Sequence, residues 1–429
     1  MKKIKKINFL YAAFFAELLL LFYLRNDAGY ILSPLLILGA GLFLSIYPYF
    51  IIQSEKQVFP EEKKSRIINE PINRKYIWYL FSGLTLIFIC WSFIIFHKYP
   101  VNVSQSDIIP FIREVMVKRF LSGESVYAPV QFNAYPTAFT PNYLPFQWGP
   151  FLVASLLNID LRWTWVILFL GATAFYIHQL PKKENYPVKL LLNTTLPFIV
   201  VFSIYLKQAG DAAHTIEILI MSYYLFLAAS LFVKNNLIRG LALTFPVLSR
   251  FSFLFWLPVY FYSGFRAQWK KYLSLGLIFT GLILLFFVIP FVLPNPSFLK
   301  SFNDIYLDGA IGEWNGQSWQ QPGDRPFQLF QGMGFASWFY FFFEGSLTEK
   351  ILALKTSLMV ACLISMILPL IFFSKARKVI SHQLFSLLAL KFCLTLFYAF
   401  ILVPYIYLFW VPLMVSVVIV SQLNMRIDR

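Results

Sequence analysis

Tyr76-Ile77-Trp78-Tyr79-Leu80-Phe81-Ser82-Gly83-Leu84-Thr85-Leu86-Ile87-Phe88-Ile89-Cys90-Trp91-Ser92-Phe93-Ile94-Ile95-Phe96 holds no charge over about the twenty residues a helix needs to cross lipid. Working outward, runs of the same kind lie at 7–24, 32–52, 188–206, 214–233, 272–293, 351–374, 383–402 and 405–421. A chain that is 59% hydrophobic, 20% aromatic and only 13% charged carries more apolar surface than one soluble core needs. The expectation is an all-α polytopic membrane protein with about 11–13 transmembrane or re-entrant helices. The bilayer is its first partner.

The net charge of +16 invites a nucleic-acid reading. The basic residues, however, sit in short segments between apolar runs: Lys2 to Lys6, residues 53–75, Arg266 to Lys271, Lys375 to Lys378, and Arg426 with Arg429. That distribution follows the positive-inside rule, so these clusters are placed on the cytoplasmic face and no nucleic-acid partner is inferred. The basic, apolar start has no small-residue cleavage site and is read as a retained first span. Cys90, Cys362 and Cys393 lie inside apolar runs without metal-ligand spacing, which predicts core thiols and no metal site.

Residues 1–75 read as a transmembrane hairpin turning at Arg25-Asn26-Asp27-Ala28-Gly29, followed by a polar cytoplasmic linker and forming an appendage. Residues 76–429 read as the functional module, with outer loops at 97–145 and 294–350. Within 146–180, a re-entrant 146–157 followed by one crossing keeps Lys182, Lys183, Lys189, Lys234 and Arg239 inside, and the charge rule favours it over two crossings. By the same logic 240–263 is a hairpin of two short helices turning near Ser249-Arg250-Phe251, and Lys207 to Asp211 is outside.

About ten residues beyond 76–96 begins Ser106-Asp107-Ile108-Ile109-Pro110-Phe111-Ile112-Arg113-Glu114-Val115-Met116-Val117-Lys118-Arg119-Phe120-Leu121-Ser122-Gly123-Glu124-Ser125-Val126-Tyr127. Val115, Met116 and Phe120 make an apolar stripe suited to an interfacial helix, and Gly123 stops it. Asp107 at its head is either the N-cap or a catalytic base, and the roles are compatible. Arg250, alone in an apolar sequence, needs an anion: a carboxylate of this chain or a phosphate of a substrate. Lys207, Gln208, Asp211 and His214 form a polar turn in which Lys207 and Asp211 either pair or bind substrate; a second histidine at metal-binding spacing is absent. Trp314, Asn315 and Gln317 belong to a Trp- and amide-rich loop suited to a carbohydrate, although interfacial anchoring explains its tryptophans equally well. Walker, G-x-S-x-G and HExxH motifs are missing, which excludes ATP-driven transport by this chain alone.

The order of span, outer Asp107, interfacial helix, Gly123 to Tyr127 and a Tyr/Pro-rich return resembles the GT-C membrane glycosyltransferases that use polyprenyl-phosphate sugars, most nearly bacterial mannosyltransferases with an Asp, helix, Gly-x-x-x-Tyr motif. It extends loosely over 76–330 and leaves out the hairpin 1–55. Arg250 stands for the family's mid-chain basic residue, usually Lys; Gln208 and Gly210 approximate its Gly-Gln turn in altered order; Phe111 replaces an aromatic hydroxyl. The resemblance implies a GT-C-like fold and an inverting transfer of a mannose-like hexose from a polyprenyl-phosphate donor to a glycan or lipid-linked acceptor. The reaction would take place on the outer face of the bacterial cytoplasmic membrane, without cofactor or metal. Asp107 would be the base, Arg250 with Lys207 and Arg113 the phosphate ligands, and Tyr127, Gln208, Asp211, His214, Trp314, Asn315 and Gln317 substrate contacts. The alternative is a lipid-linked glycan transporter or polymerase, whose polar residues would spread through the spans.

Overall fold

The structure is a computed structural model describing residues 2–58, 74–101, 108–132, 140–180, 187–316 and 324–427. The described residues contain helices and no β-strand, as expected of a chain whose backbone groups must be satisfied within each segment once they enter lipid. Among the described residues, seven stretches are long and apolar enough to cross a membrane: Asn8–Ser54, Lys75–Lys98, Val188–Lys207, Trp256–Val292, Leu347–Ala376, His382–Ala399 and Ile406–Leu423. The protein is therefore an all-α, multi-pass membrane protein.

Two of these stretches fold back on themselves. Phe9 meets Phe43 and Tyr47 with ring centroids 5.5 Å apart in each case, whereas a continuous helix would separate such residues by roughly 50 Å. The reversal lies at Gly29, whose φ of 71° and ψ of 171° leave the helical region; glycine tolerates that geometry because it has no Cβ. This is the turn expected from the sequence. Trp256–Val292 breaks at Gln268 and brings Phe261 to 6.2 Å from Phe279. A third hairpin joins Asn236–Val247 to the helix beginning at Trp256 through residues 248–255, as the Ser249-Arg250-Phe251 turn predicts.

In the segment 146–180, Pro145–Trp148 and Phe151–Leu156 are short helices, and Trp163–Gln179 is a 17-residue helix, shorter than the seven spanning candidates. The helix over Ile109–Leu121 forms with a π-helical middle, and Ile112, Val115, Met116 and Val117 are buried. Phe120 departs from the expected stripe: it is exposed, although its ring meets those of Trp148 and Phe291. Gly123, at φ +71°, ends the helix as expected: its N–H bonds the Phe120 carbonyl and that of Glu124 the Arg119 carbonyl, closing two otherwise open acceptors. Of the cysteines, Cys362 and Cys393 are core residues but Cys90 is exposed on the outside of its span.

The N-terminal hairpin is packed into the bundle. Glu17 and Lys391 form an ion pair between the first helix and His382–Ala399, joined by a Ser416 hydroxyl donated to Glu17 and a Pro412 carbonyl accepting from Lys391. Gly41 lets the hairpin's second arm approach closely, since a Cβ there would lie 2.6 Å from the Thr395 methyl. Tyr11 adds a 2.8 Å bond to Asn193.

Candidate functional site

The ionisable residues of the bundle gather at two ends. At one, Lys234, Lys271, Tyr272 and His382 lie close together, with Lys375, Arg377 and Lys378 in the same set of turns. The other end gathers the hairpin tip at Arg25, the end of Lys75–Lys98, the polar turn 207–217, Arg250 and the described parts of the segments 298–316 and 324–346, with most of the described residues singled out in the sequence.

Arg250 occupies the turn after Pro246, where its backbone N–H bonds the Pro246 carbonyl at 2.7 Å. Of its two expected anions, the structure supplies the internal one: an Arg250 guanidinium nitrogen pairs with Glu217 Oε1. Glu217 opens the helix Glu217–Ser230 and was not singled out in the sequence. Its signal was the one that marked Arg250, a lone charge entering an apolar run. The pair is not saturated. Arg250 Nε and Glu217 Oε2 are buried without hydrogen-bond partners among the described residues, and the arginine side chain stays 24% exposed while the glutamate is 1% exposed.

The polar turn has the same property. Lys207 and Asp211 do not pair with each other: Lys207 Nζ lies 4.4 Å from the centroid of the Tyr23 ring, and Asp211 faces Arg25. Burial pushes the Asp211 carboxyl above its ordinary range, and the Arg25 charge opposes that shift. His214 packs edge-on against Tyr99, with centroids 5.9 Å apart. Burial first, then the Arg162 charge, lowers its pKa, and a bond to the Pro100 backbone opposes them. Gln208 accepts from Trp410 Nε1 at 2.7 Å. Arg25 Nη1, Gln208 Nε2 and His214 Nε2 are each buried and unpartnered among the described residues. Folded proteins pair nearly all such groups; with Arg250 and Glu217 these make five of the thirteen such atoms among the described residues, the others lying elsewhere in the bundle, and they mark a place where water or a ligand completes the bonding.

Arg162, likewise missed in the sequence, contrasts with these. It chelates Asp160, donates to the carbonyls of Tyr99 at 2.6 Å and Phe96 at 3.0 Å, and ties the end of Lys75–Lys98 to Trp163–Gln179.

Other expected site residues are placed differently. Asp107 and Gln317 lie outside the described residues. Arg113 bonds its neighbour Glu114 at 2.7 Å, both half-exposed. Tyr127 is buried, donates to the Tyr143 carbonyl at 2.9 Å and stacks on Phe298 at 4.3 Å; burial raises its phenol pKa. Trp314 is corrected: it is 1% exposed and its Nε1 donates to the Leu402 carbonyl at 2.8 Å, so its indole is packed in a satellite core and presents no face to a sugar or a membrane surface. Asn315 beside it is exposed. No His/Cys/Asp/Glu group suited to a metal occurs among the described residues.

Comparison of the chain with family profiles, characterised proteins and solved structures finds no match.

Proposed function

We propose that the chain is a GT-C-type membrane glycosyltransferase, moving a mannose-like hexose with inversion from a polyprenyl-phosphate donor to a glycan or lipid-linked acceptor. The reading is carried by one observation: Arg25, Gln208, His214, Glu217 and Arg250 each keep a buried, unpartnered polar atom at one end of the bundle. The positive-inside rule assigns the opposite, lysine- and arginine-rich end to the cytosol, which leaves this one on the outer face of the cytoplasmic membrane. A lipid phosphate brings its own membrane anchor, so such an enzyme needs a polar mouth beside lipid and no nucleotide pocket.

Arg250 acts on the departing phosphate. Glu217 holds the guanidinium in place and balances its charge while the site is empty, using one of its five donors; the remaining donors are available to phosphate oxygens. Stabilising charge as it develops on a leaving group is commonly the largest contribution to rate. Asp107, one residue before the buried Ile108, takes the acceptor hydroxyl proton as the anomeric carbon is attacked. Lys207, exposed beside Tyr23, and the polar turn at Gln208, Asp211 and His214 complete the binding surface.

The test uses membranes containing the full chain and a labelled polyprenyl-phosphate hexose. Asp107→Asn should insert normally and lower transfer of label by about 10²- to 10⁴-fold. Normal turnover by that variant ends the assignment of the base. Passage of the lipid-linked sugar without transfer would favour the transporter reading, which has one observation of its own: the ion pair of Glu17 and Lys391 lies within the spans. That pair is sealed, and the cavity touching Glu17 has a volume of about 20 Å³, room for roughly one water and no sugar.

A further inference from the structure

On the lipid-facing side, near the basic end, the second arm of the N-terminal hairpin and the helices Leu347–Ala376 and His382–Ala399 enclose a groove of about 400 Å³. Its walls include Tyr49, Phe50, Pro369, Phe372, Phe385 and Leu388. The polar end is formed by Lys375, in the last turn of Leu347–Ala376, and Arg377 and Lys378 follow it immediately. From Leu368 to Lys375 the helix rises about 10 Å, so the apolar slot runs from bilayer depth up to this basic mouth. Lys375 and Arg377 are exposed, and no carboxylate pairs with either among the described residues.

We propose that this groove is a binding site for an anionic phospholipid, with one acyl chain in the slot and the headgroup phosphate at Lys375 and Arg377. Charge complementarity selects the occupant. A second protein chain seated there would bring no compensation for two lysine- and arginine-borne charges unless it carried acids, whereas an anionic lipid supplies the negative group at the same height as the mouth and the hydrocarbon below it. A slot with a fixed cation at its rim holds one lipid in one orientation. The site lies at the opposite end from Arg250 and does not depend on the glycosyltransferase reading.

The test is native mass spectrometry of the detergent-purified full chain after exposure to lipids of defined class. The wild-type monomer should retain dioleoyl phosphatidylglycerol at least about tenfold more than dioleoyl phosphatidylcholine, since each of the two basic side chains contributes about fivefold toward anionic lipid at a membrane surface. Lys375→Glu, at an exposed position, should reduce the preference to within about twofold, and Lys375→Arg should keep it. Dihexanoyl phosphatidylglycerol, which has the same headgroup but too little chain to fill the slot, should be retained much less than the dioleoyl form. Equal retention of the two headgroup classes by the wild type overturns the proposal. So does a Lys375→Glu preference unchanged from wild type, equal retention of short and long chains, or a lipid-free dimer that covers the groove. If Lys375→Glu does not fold, Arg377→Gln, also exposed, gives the same reading.

Discussion

Two buried ion pairs among the described residues join distant parts of this chain, and they differ in what is left over. Lys391 and Glu17 are 0% and 7% exposed, and their spare donor and acceptor capacity is taken up by Pro412 and Ser416. Arg250 and Glu217 sit at the bundle's end with the arginine partly open and with Nε and Oε2 unmet. A saturated pair in low dielectric has nothing to give a ligand, and its measurable consequence is the docking of the hairpin. An unsaturated pair at a polar mouth holds charge ready for a third group. Burial alone does not separate these roles; the count of unused hydrogen-bonding positions does.

The largest effect expected from this contrast is on stability. Lys391→Met leaves Glu17 as an uncompensated buried charge and should cost about 3–5 kcal/mol, read as a lowered unfolding midpoint of the purified protein. Adding Glu17→Met should restore most of the loss. A Lys391→Met protein as stable as wild type would remove the docking role. Next comes Arg250→Lys, which keeps a cation for Glu217 but loses the planar fork. It should leave the unfolding midpoint nearly unchanged while lowering transfer from the polyprenyl-phosphate donor by roughly 10²-fold or more. Equal losses of stability and activity would make Arg250 a structural pair like Lys391.

The smallest effect is in the polar turn. His214 has its pKa lowered below the ordinary 6.5 by burial and Arg162, so the unfolded chain takes up the proton first. The stability His214 contributes is complete above that ordinary value and is lost as pH falls toward its folded pKa. Between about pH 7.5 and about pH 5.5 the unfolding midpoint should drop by roughly one or two degrees, and His214→Gln should flatten that part of the curve. A histidine variant with the wild-type slope would assign the drop to other groups.

The membrane character, the hairpin turn at Gly29 and the stop at Gly123 were all readable from composition and local chain chemistry. Each depends on a segment and its nearest neighbours, or on the free energy of moving that segment between water and lipid, and both are written in consecutive residues. Which charge meets which was not readable in that way. Glu217 and Arg250 are 33 residues apart and Glu17 and Lys391 374 apart. Their meeting follows from how helices stack around small residues such as Gly41, not from spacing along the chain. Trp314 teaches the same point in reverse: its neighbours suggested an open sugar platform, and packing against Leu402 buried it. Hydropathy selects the segments that enter lipid, while partner choice among the few ionisable groups inside it is set by three-dimensional packing, because an unpaired charge there is too costly to leave where the local sequence happens to put it.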